Sequence, residues 1–213
     1  MQELAKVVKS KGLNNLLMIT DPGLVSVGLA KQTQEILTKS KLKIDIFDGV
    51  NPNPVEENVT KGVNKYQSGK YDGIIALGGG SAMDVAKTIR FMAVHKSPLS
   101  RYDDAVGGEE KIVNPLPPLY AIPTTAGTGS EAQSYAVIAN AATGLKMACG
   151  DPKAAYRVAV LDPELTLSQP DTVTATSGFD AIAHAVETAA TTRRSPLSDC
   201  FSHEAWRLLE SHY

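Results

Sequence analysis

The chain has 213 residues, of which 43% are hydrophobic and 21% charged, a composition typical of a globular protein with one large domain or two modest ones. Its 21 Lys and Arg residues nearly balance its 23 Asp and Glu residues, which argues against binding to nucleic acid or an anionic membrane. Two isolated cysteines, Cys149 and Cys200, argue against a disulfide scaffold or a thiolate metal site. With no export signal or membrane-spanning stretch in the sequence, we expect a cytoplasmic protein that binds a small molecule.

The first half of the chain alternates short aliphatic runs with helical patterns, which is typical of βαβ units and a parallel sheet. We predict strands at 15–20, 43–47 and 72–77, and helices at 28–40, 55–68 and 81–95. The last of these helices carries an apolar stripe at helical spacing, which predicts that this face packs on the sheet. The stripe consists of Ala82, Val85, Ala86, Ile89, Met92 and Ala93.

Regular patterns are interrupted and then resume in the second half. Residues 101–118 contain a Gly-Gly pair, charged side chains and three prolines, which predicts an exposed excursion. A short strand at 119–122 leads into a Thr- and Gly-rich candidate ligand loop at 123–131, and a further buried strand is predicted at 158–161. Because everything after Pro170 has a helical pattern, we predict an α/β domain of residues 1–162 and the start of a helical domain at 163–213.

The strongest local signal is the glycine triplet at 78–80, between a predicted strand and a predicted helix. Glycines let the backbone approach a phosphate, and the first N–H groups of a helix attract an anion. We predict Ser81 as the cap of this helix. The spacing lacks the last glycine of the dinucleotide fingerprint, because Met83 occupies that position. A glycine turn that binds nothing is therefore the alternative interpretation.

Asp21 follows the first predicted strand, at the carboxyl edge where open α/β sheets bind ligands. A carboxylate there could accept hydrogen bonds from the ribose hydroxyls of NAD and would repel the 2′-phosphate of NADP. The alternative is that Asp21 only begins the turn Asp-Pro-Gly.

Asp180 and His184 are four residues apart in a helical pattern, so both could reach one cation. A carboxylate and an imidazole suit Fe(II), Zn(II) or Mn(II), but two ligands do not make a site. A capping aspartate and a core histidine are the alternative. Asp199 and His203 repeat the spacing, and we interpret them, like His212, as solvated residues rather than ligands.

Five segments together resemble the iron-containing alcohol dehydrogenase family, the group III enzymes related to glycerol dehydrogenases and dehydroquinate synthases. They are 19–21, 51–54, 78–87, 123–131 and 178–187. The resemblance covers nearly the whole chain. It implies a dehydroquinate synthase-like architecture, with a Rossmann-like parallel-sheet domain followed by the first helices of an all-α metal-binding domain.

The resemblance also implies a set of NAD-binding residues, which runs from the adenosine and ribose end of the cofactor through the pyrophosphate to the nicotinamide side. In that order they are Asp21 and Asn53; Gly79, Gly80 and Ser81, with Asp84 supporting their loop; Thr124, Thr125, Tyr135 and Lys146 along the groove; and Leu165.

The metal chemistry is likewise implied by the resemblance. A divalent metal, Fe(II) or alternatively Zn(II), would be held by one Asp and three His, with Asp180 and His184 as two of the four ligands. The metal would acidify an alcohol, which then gives hydride to NAD. We therefore expect an NAD-dependent enzyme that interconverts a small alcohol with an aldehyde or ketone. A homodimer is expected for the full-length parent.

Family members begin with a strand or hairpin before Leu4 and continue as a helical domain that supplies the last two histidines, so we expect a chain truncated at both ends. Three interpretations follow. The favoured one is a fragment of an active dehydrogenase, and the second is an inactive NAD-binding module. In the third, the enzyme completes its metal site with His203, His212 or a partner subunit.

Overall fold

The computed structural model describes residues 2–212, with only the backbone of Gln2. It divides into two compact units. Met1–Pro123 and Ser130–Asp162 form one, called here the α/β unit, and Thr124–Gly129 and Pro163–Tyr213 form the other, called the helical unit. Residues 124–129, which lie inside the predicted domain of residues 1–162, thus group with the helices.

The α/β unit is built on a five-stranded sheet in the order β2-β1-β3-β4-β7, in which every neighbouring pair is parallel. The expected Rossmann-like parallel sheet is therefore confirmed. Its strands are β1 (Asn15–Ile19), β2 (Lys43–Phe47), β3 (Gly73–Gly78), β4 (Leu119–Pro123) and β7 (Val158–Ala159). The central strands β3 and β4 are buried at every residue, as expected for strands covered on both faces.

The helices of this unit include the three predicted ones and two that the sequence analysis missed. They are α1 (Gln2–Ser10), α2 (Pro22–Ser26), α3 (Leu29–Lys39), α4 (Glu56–Gly69) and α5 (Gly80–Met92). The missed helices are α1 and α2. Helix α2 is only one turn long and starts from the Asp-Pro-Gly segment that was interpreted as a turn.

Helix α5 differs from its prediction in two ways. Its cap is Gly79 rather than Ser81, and it ends at Met92 rather than near residue 95. All of its residues from Ala82 to Met92 are buried, so it is not a half-exposed amphipathic helix. The reason is an antiparallel hairpin, β5 (Tyr135–Ala139) and β6 (Lys146–Gly150), which contacts α5.

Two further predictions are corrected. The strand predicted as buried at 158–161 is only Val158–Ala159, because it lies at the sheet edge beside β4 alone, and Leu161 is 69% exposed. The excursion at 101–118 is not simply exposed. It forms short 3-10 helices, and its Tyr102 and Ile112 are buried in the core.

The helical unit contains α6 (Asp171–Ala190) and α7 (Pro196–Glu210). Ser195 caps α7, because its side chain accepts a hydrogen bond from Ser198 N, and Ser202 Oγ of α7 donates to Thr188 Oγ1 of α6 at 2.7 Å. Within residues 2–212, none of the helices combines the length and the apolar character needed to cross a membrane.

Candidate cofactor and metal sites

The glycine triplet forms a sharp turn at the carboxyl end of β3. Gly78 has φ +149°, and a Cβ atom there would lie 2.7 Å from the Cβ of Ala82, so only glycine fits. Helix α5 begins two residues later, and no side chain caps its first turn. Its first N–H groups and the positive end of its dipole are therefore suited to an anion such as a pyrophosphate.

A cavity of about 110 Å³ lies beside this turn. Four of the predicted cofactor residues line it, and the other lining residues come from β5 and from the segment before α4. The full set is Asn53, Pro54, Ser81, Asp84, Val137, Ala139 and Lys146. Because small-molecule pockets usually hold roughly 300–1,000 Å³, this cavity can take one moiety of a dinucleotide rather than the whole.

Backbone contacts fix the two sides of the cavity that come from residues 53–54 and from β5. Ala139 N donates to Pro54 O at 2.8 Å, and Val55 and Ala139 form an isolated parallel bridge. Asn53 adopts a left-handed conformation with φ +50°, which asparagine tolerates better than most residues. The segment that carries Asn53 is thereby held against the hairpin.

Asp84 is fully engaged by the protein. Its Oδ1 is 3.0 Å from Lys87 Nζ and accepts from Ser130 Oγ at 3.2 Å, while its Oδ2 accepts from Val137 N at 3.0 Å. A carboxylate with these partners joins α5 to β5 at the edge of the cavity, which is a supporting position rather than a free ligand position.

Lys87 ends the segment 78–87 that contributes to the family resemblance, and no role was predicted for it. It is 0% exposed, and its ammonium group donates to the carbonyl oxygens of Ser130, Gln133 and Tyr135 besides pairing with Asp84. Burial lowers the pKa of Lys87, and Asp84 opposes that shift. Charged residues three positions apart on a helix whose other residues are mostly apolar, Asp84, Lys87 and Arg90, were the signal that could have revealed this network.

Asp21 lies at the carboxyl edge of β1, where it was predicted to act. Its Oδ1 accepts from Leu24 N at 3.0 Å and caps α2, so the turn interpretation describes part of its role. A Cβ on Gly78 would lie 3.4 Å from its Oδ2, so the carboxylate also borders the glycine turn. Asp21 does not line the cavity described above.

Tyr135 was implied to line the cofactor groove, but it is not among the residues around this cavity. Its hydroxyl donates to Glu109 Oε2 at 2.6 Å. That hydrogen bond, with burial and the nearby acidic groups, raises the pKa of Tyr135 to about 12. The side chain is thus occupied by the protein itself.

Thr124, Thr125 and Leu165 lie in the helical unit. Thr124 is buried, and the buried Oγ1 of Thr125 has no hydrogen-bond partner among the described residues. Leu165 is half-buried in the 3-10 helix Pro163–Thr166. An unpaired hydroxyl of this kind is available to a ligand.

The Thr- and Gly-rich loop packs directly on α6. Gly127 has φ +144°, and a Cβ there would lie 1.8 Å from the carbonyl oxygen of Ser177. Ser177 is itself buried one turn before Asp180. The close approach of the two backbones therefore requires glycine at position 127.

Asp180 and His184 lie on one face of α6, as their spacing predicted. His184 Nε2 is 3.7 Å from Asp180 Oδ1, and the two side chains are 42% and 44% exposed, so both can turn toward one cation. The carboxylate and imidazole fit a borderline divalent ion. No cluster of three or more potential ligands occurs in the described part of the chain.

The histidines proposed in the third interpretation lie on or beyond α7. His203 is exposed, and His212 Nδ1 is 2.8 Å from the carbonyl oxygen of Leu208. Asp199, the partner of His203 in the repeated spacing, pairs instead with Arg194 at 3.0 Å. Neither histidine joins Asp180 and His184 in a metal cluster within residues 2–212.

His184 also borders a mostly apolar groove of about 580 Å³ between α6 and α7. Gly127 of the Thr- and Gly-rich loop contributes to the same groove, as do Ala181 and Ala185 of α6 and Phe201 of α7. The carboxylate–imidazole pair therefore stands at the border of an apolar surface that opens to solvent.

A parallel α/β unit with a glycine turn at the carboxyl end of a central strand is the pattern of a nucleotide-binding α/β protein. The sequence profile of the family described as "Iron-containing alcohol dehydrogenase" matches residues 1–163, and the chain belongs to that family. The architecture expected from the resemblance agrees with this membership.

Similar proteins include the choline dehydrogenase of Bacillus subtilis, 38% identical over 192 residues, which cover 90% of this chain and 48% of that protein. The NAD-dependent methanol dehydrogenase of Bacillus methanolicus is 33% identical over 99% of this chain and 54% of its own length. The crystal structure of sulfoacetaldehyde reductase from Bifidobacterium kashiwanohense in complex with NAD+ superposes with a TM-score of 0.84, at 28% identity, over 98% of this chain and 54% of that one. The chain thus spans about half the length of the curated relatives it matches.

Proposed function

We propose that this chain supplies the NAD-binding site and two metal ligands of an NAD- and iron-dependent oxidoreductase that interconverts an alcohol with an aldehyde or ketone. The observation that carries the proposal is the cavity at the uncapped start of α5, where Ser81, Asn53 and Lys146 meet. The relative named as NAD-dependent and the relative crystallised with NAD+ support the choice of cofactor.

In this proposal the α/β unit binds and orients the cofactor. The first N–H groups of α5 and the hydroxyl of Ser81 hold the pyrophosphate, and the Lys146 ammonium adds positive charge. Asn53 and Asp21 offer hydrogen-bonding groups for the adenosine ribose. Asp84 is already satisfied by Lys87, Ser130 and Val137, so it holds the cavity wall rather than the cofactor.

The helical unit holds the reacting end in this proposal. Asp180 and His184 are the two ligands that this chain offers to the metal. Thr124 and Thr125 line the cofactor groove, and Leu165 lies on the nicotinamide side. When bound, the metal supplies a Lewis acid for the substrate oxygen and NAD accepts the hydride. Fe(II) is preferred from the family, while Zn(II) is compatible with the same donor atoms.

The substrate class that we propose is a small alcohol or the corresponding carbonyl compound. The named relatives act on molecules as different as choline and methanol, so the family does not select one. We keep the division into a cofactor domain of residues 1–162 and a metal domain beginning at 163 as part of the proposal, together with a cytoplasmic location and a homodimeric full-length parent.

The alternative function is an NAD-binding module without catalysis. It is favoured by one observation, the absence of a third metal ligand beside Asp180 and His184 among residues 2–212. A completed metal site would require further histidines. His203, His212 or a partner subunit would supply them if the chain is an active enzyme by itself.

The decisive experiment combines a titration with an assay. NAD binding to the whole chain is measured by calorimetry, and NADH formation from a panel of short alcohols is followed anaerobically after reconstitution with Fe(II). We expect NAD to bind. Turnover that a chelator abolishes supports the oxidoreductase, NAD binding without turnover supports the module, and the absence of NAD binding by a folded sample overturns both.

His184→Ala separates the two half-sites. Because His184 lies in the helical unit, its loss is expected to lower metal retention, measured by elemental analysis after gel filtration, while NAD affinity stays nearly unchanged. His203→Ala is the matched control and is expected to retain the wild-type metal content. Full metal retention by His184→Ala would show that the ligand assignment is wrong.

A further inference from the structure

The open end of the β5–β6 hairpin is held by a side chain from the excursion. Tyr135, the first residue of β5, donates its hydroxyl hydrogen bond to Glu109 Oε2 at 2.6 Å. Glu109 begins the 3-10 helix Glu109–Lys111 and precedes Tyr135 by 26 positions in the sequence. We call this tyrosine–carboxylate contact the latch.

The excursion is firmly built at the point where it carries Glu109. A Cβ on Gly108 would lie 2.1 Å from the backbone carbon of Tyr102, and Gly108 N donates to Asp103 O at 2.9 Å. Asp103 in turn forms an antiparallel bridge with Cys149 of β6. The excursion therefore contacts both strands of the hairpin, through the latch on β5 and through backbone on β6.

The same hairpin forms one wall of the proposed cofactor cavity. Val137 and Ala139 of β5 and Lys146 of β6 line it, together with Ser81 and Asp84 of α5. From the inner side, Lys87 donates to the carbonyl oxygen of Tyr135 itself. Tyr135 is thus fixed twice, by its carbonyl from α5 and by its hydroxyl from the excursion, two residues before the first residue of the wall.

We propose that Glu109 and Tyr135 are positioning residues that set the hairpin wall of the cofactor cavity, so that Tyr135 affects NAD affinity through the hairpin and not by touching NAD. This inference rests on the proposed function. Residues 101–118, the excursion, thereby contribute to cofactor binding without touching the cofactor. An indirect role also accounts for the absence of Tyr135 from the cavity lining.

The test measures the dissociation constant of NAD and the amide hydrogen exchange of residues 135–150 in a set of whole-chain variants. Tyr135→Phe and Glu109→Ala each remove the latch, and we expect each to weaken NAD binding by about 3- to 10-fold, the range expected when a charge-assisted hydrogen bond is lost at a distance from the ligand. Faster exchange of the hairpin amides should accompany the loss. The double variant should bind no more weakly than either single variant, since the two residues act through one contact.

Glu109→Gln is the conservative variant, because the amide oxygen can still accept from the tyrosine hydroxyl. It is expected to retain most of the affinity that Glu109→Ala loses. The ionisation of Tyr135, followed by tyrosinate absorbance, should move to lower pH in Glu109→Gln as the neighbouring negative charge is removed.

Tyr71→Phe is the matched control. Tyr71 donates to Asp45 Oδ2 at 2.5 Å, which is the same kind of contact, but it precedes β3 and takes no part in the hairpin. Its loss should lower the unfolding midpoint and leave the dissociation constant of NAD unchanged. A purely structural latch would make Tyr135→Phe behave in the same way as this control.

The outcomes separate the latch from the proposed function. Weakened NAD binding with faster hairpin exchange, confined to Tyr135→Phe and Glu109→Ala, supports the latch. Unchanged NAD affinity in these variants overturns it, as does weakening by the Tyr71→Phe control to the same extent. Failure of the wild-type chain to bind NAD overturns the proposed function, whereas unchanged hairpin exchange in Tyr135→Phe overturns the latch on its own measurement.

Discussion

Helices α5 and α6 both carry ionisable residues at helical spacing, but those of α5 are buried and those of α6 are exposed. In α5, Asp84, Lys87 and Arg90 are three residues apart and all buried. In α6, the Asp180 and His184 side chains are four residues apart and more than two-fifths exposed. Spacing alone therefore does not distinguish a structural network from a ligand pair; what decides is whether other parts of the fold cover that face.

The buried charged residues of α5 hold other parts of the α/β unit in place through their backbone carbonyl groups. Lys87 ties down the backbone of residues 130–135, and Arg90 donates to the carbonyl oxygens of Pro117, Lys153 and Ala155. Such charges are stable in the interior only because carbonyls and a carboxylate replace the water they lose. The Asp180 and His184 side chains of α6 stay partly exposed to water, as the metal-ligand role proposed for them requires.

The exposed aromatic residues follow the same division. Phe179, Phe201 and Trp206 are 67%, 68% and 47% exposed, and all three lie on α6 or α7. Their exposure matches that of Asp180 and His184 in the same unit. An apolar surface of this kind is suited to contact with other protein or with a ligand.

The largest expected effect breaks the covered network. Lys87→Met removes the cation that pairs with the buried Asp84 and donates to three backbone carbonyl oxygens, and it is expected to destabilise the protein by about 3–5 kcal/mol. Urea unfolding followed by circular dichroism measures the loss. Lys61→Met, which removes an exposed partner of Glu57, is the control and should leave stability within error. Equal effects of the two substitutions would contradict the distinction between covered and uncovered charges.

The second prediction concerns the loop packed on α6. Gly127→Ala introduces a Cβ at a position 1.8 Å from the Ser177 oxygen and at φ +144°, and it is expected to cost about 2–4 kcal/mol through clash and backbone strain. Trp206, the only tryptophan, lies on α7, so its fluorescence follows the helical unit during unfolding.

Gly144→Ala is the control for this prediction, because Gly144 also has positive φ, +71°, but a Cβ there would meet nothing within 4 Å. It should cost about 1–2 kcal/mol, the price of the left-handed conformation alone. If both substitutions cost the same, the loop can move away from α6 and its packing does not define its position.

The sequence predicted the central strands β1, β3 and β4 well because they are short apolar runs that are buried on both faces. It missed β5 and β6. Tyr135–Ala139 contains Tyr, Val and Ile and so carries a strand signal that was not used, whereas Lys146–Gly150 has no β-branched or aromatic residue. The hairpin exists because it covers the second face of α5, which is a property of the tertiary structure.

The candidate site shows the same limit. Asn53, Lys146 and the α5 residues Ser81 and Asp84 come from three separate segments, and only the resemblance to a family connected them before the fold was known. No local pattern could indicate that Tyr135 bonds to Glu109, or that Asp84 is satisfied by Lys87 and the β5 backbone. Spacing within one helix did place Asp180 and His184 correctly on one face, because that geometry is local.

The third prediction concerns Asp21 of the α/β unit and tests whether its carboxylate selects NAD over NADP. Asp21→Asn keeps a side-chain oxygen to cap α2 but removes the charge, and we expect the affinity for NADP relative to NAD to rise about tenfold, or roughly 1.4 kcal/mol. Asp21→Gly should raise the ratio similarly and also lose up to about 1 kcal/mol of stability through the weaker cap. Calorimetric titration with both dinucleotides measures the ratio, and an unchanged ratio in both variants would leave Asp21 as a cap alone.

The smallest expected effect is a loss of stability at alkaline pH that arises from two tyrosines of the α/β unit. Hydrogen bonding and burial raise the pKa values of Tyr71 and Tyr135 to about 12, and both residues lie in the α/β unit. A raised pKa in the folded state means that the protonated form stabilises the fold. The contribution is therefore complete below about pH 10 and is lost as pH rises from 10 toward 12. Because both pairs are partly screened by solvent, we expect about 1 kcal/mol or less for each.

Urea unfolding at pH 8 and pH 11 should show this loss in the wild type and a smaller loss in a Tyr71→Phe, Tyr135→Phe double variant. The same pH dependence in both proteins would assign the alkaline loss to other groups, such as the lysines, and would remove the tyrosine–carboxylate contacts from the account of how the α/β unit is held together.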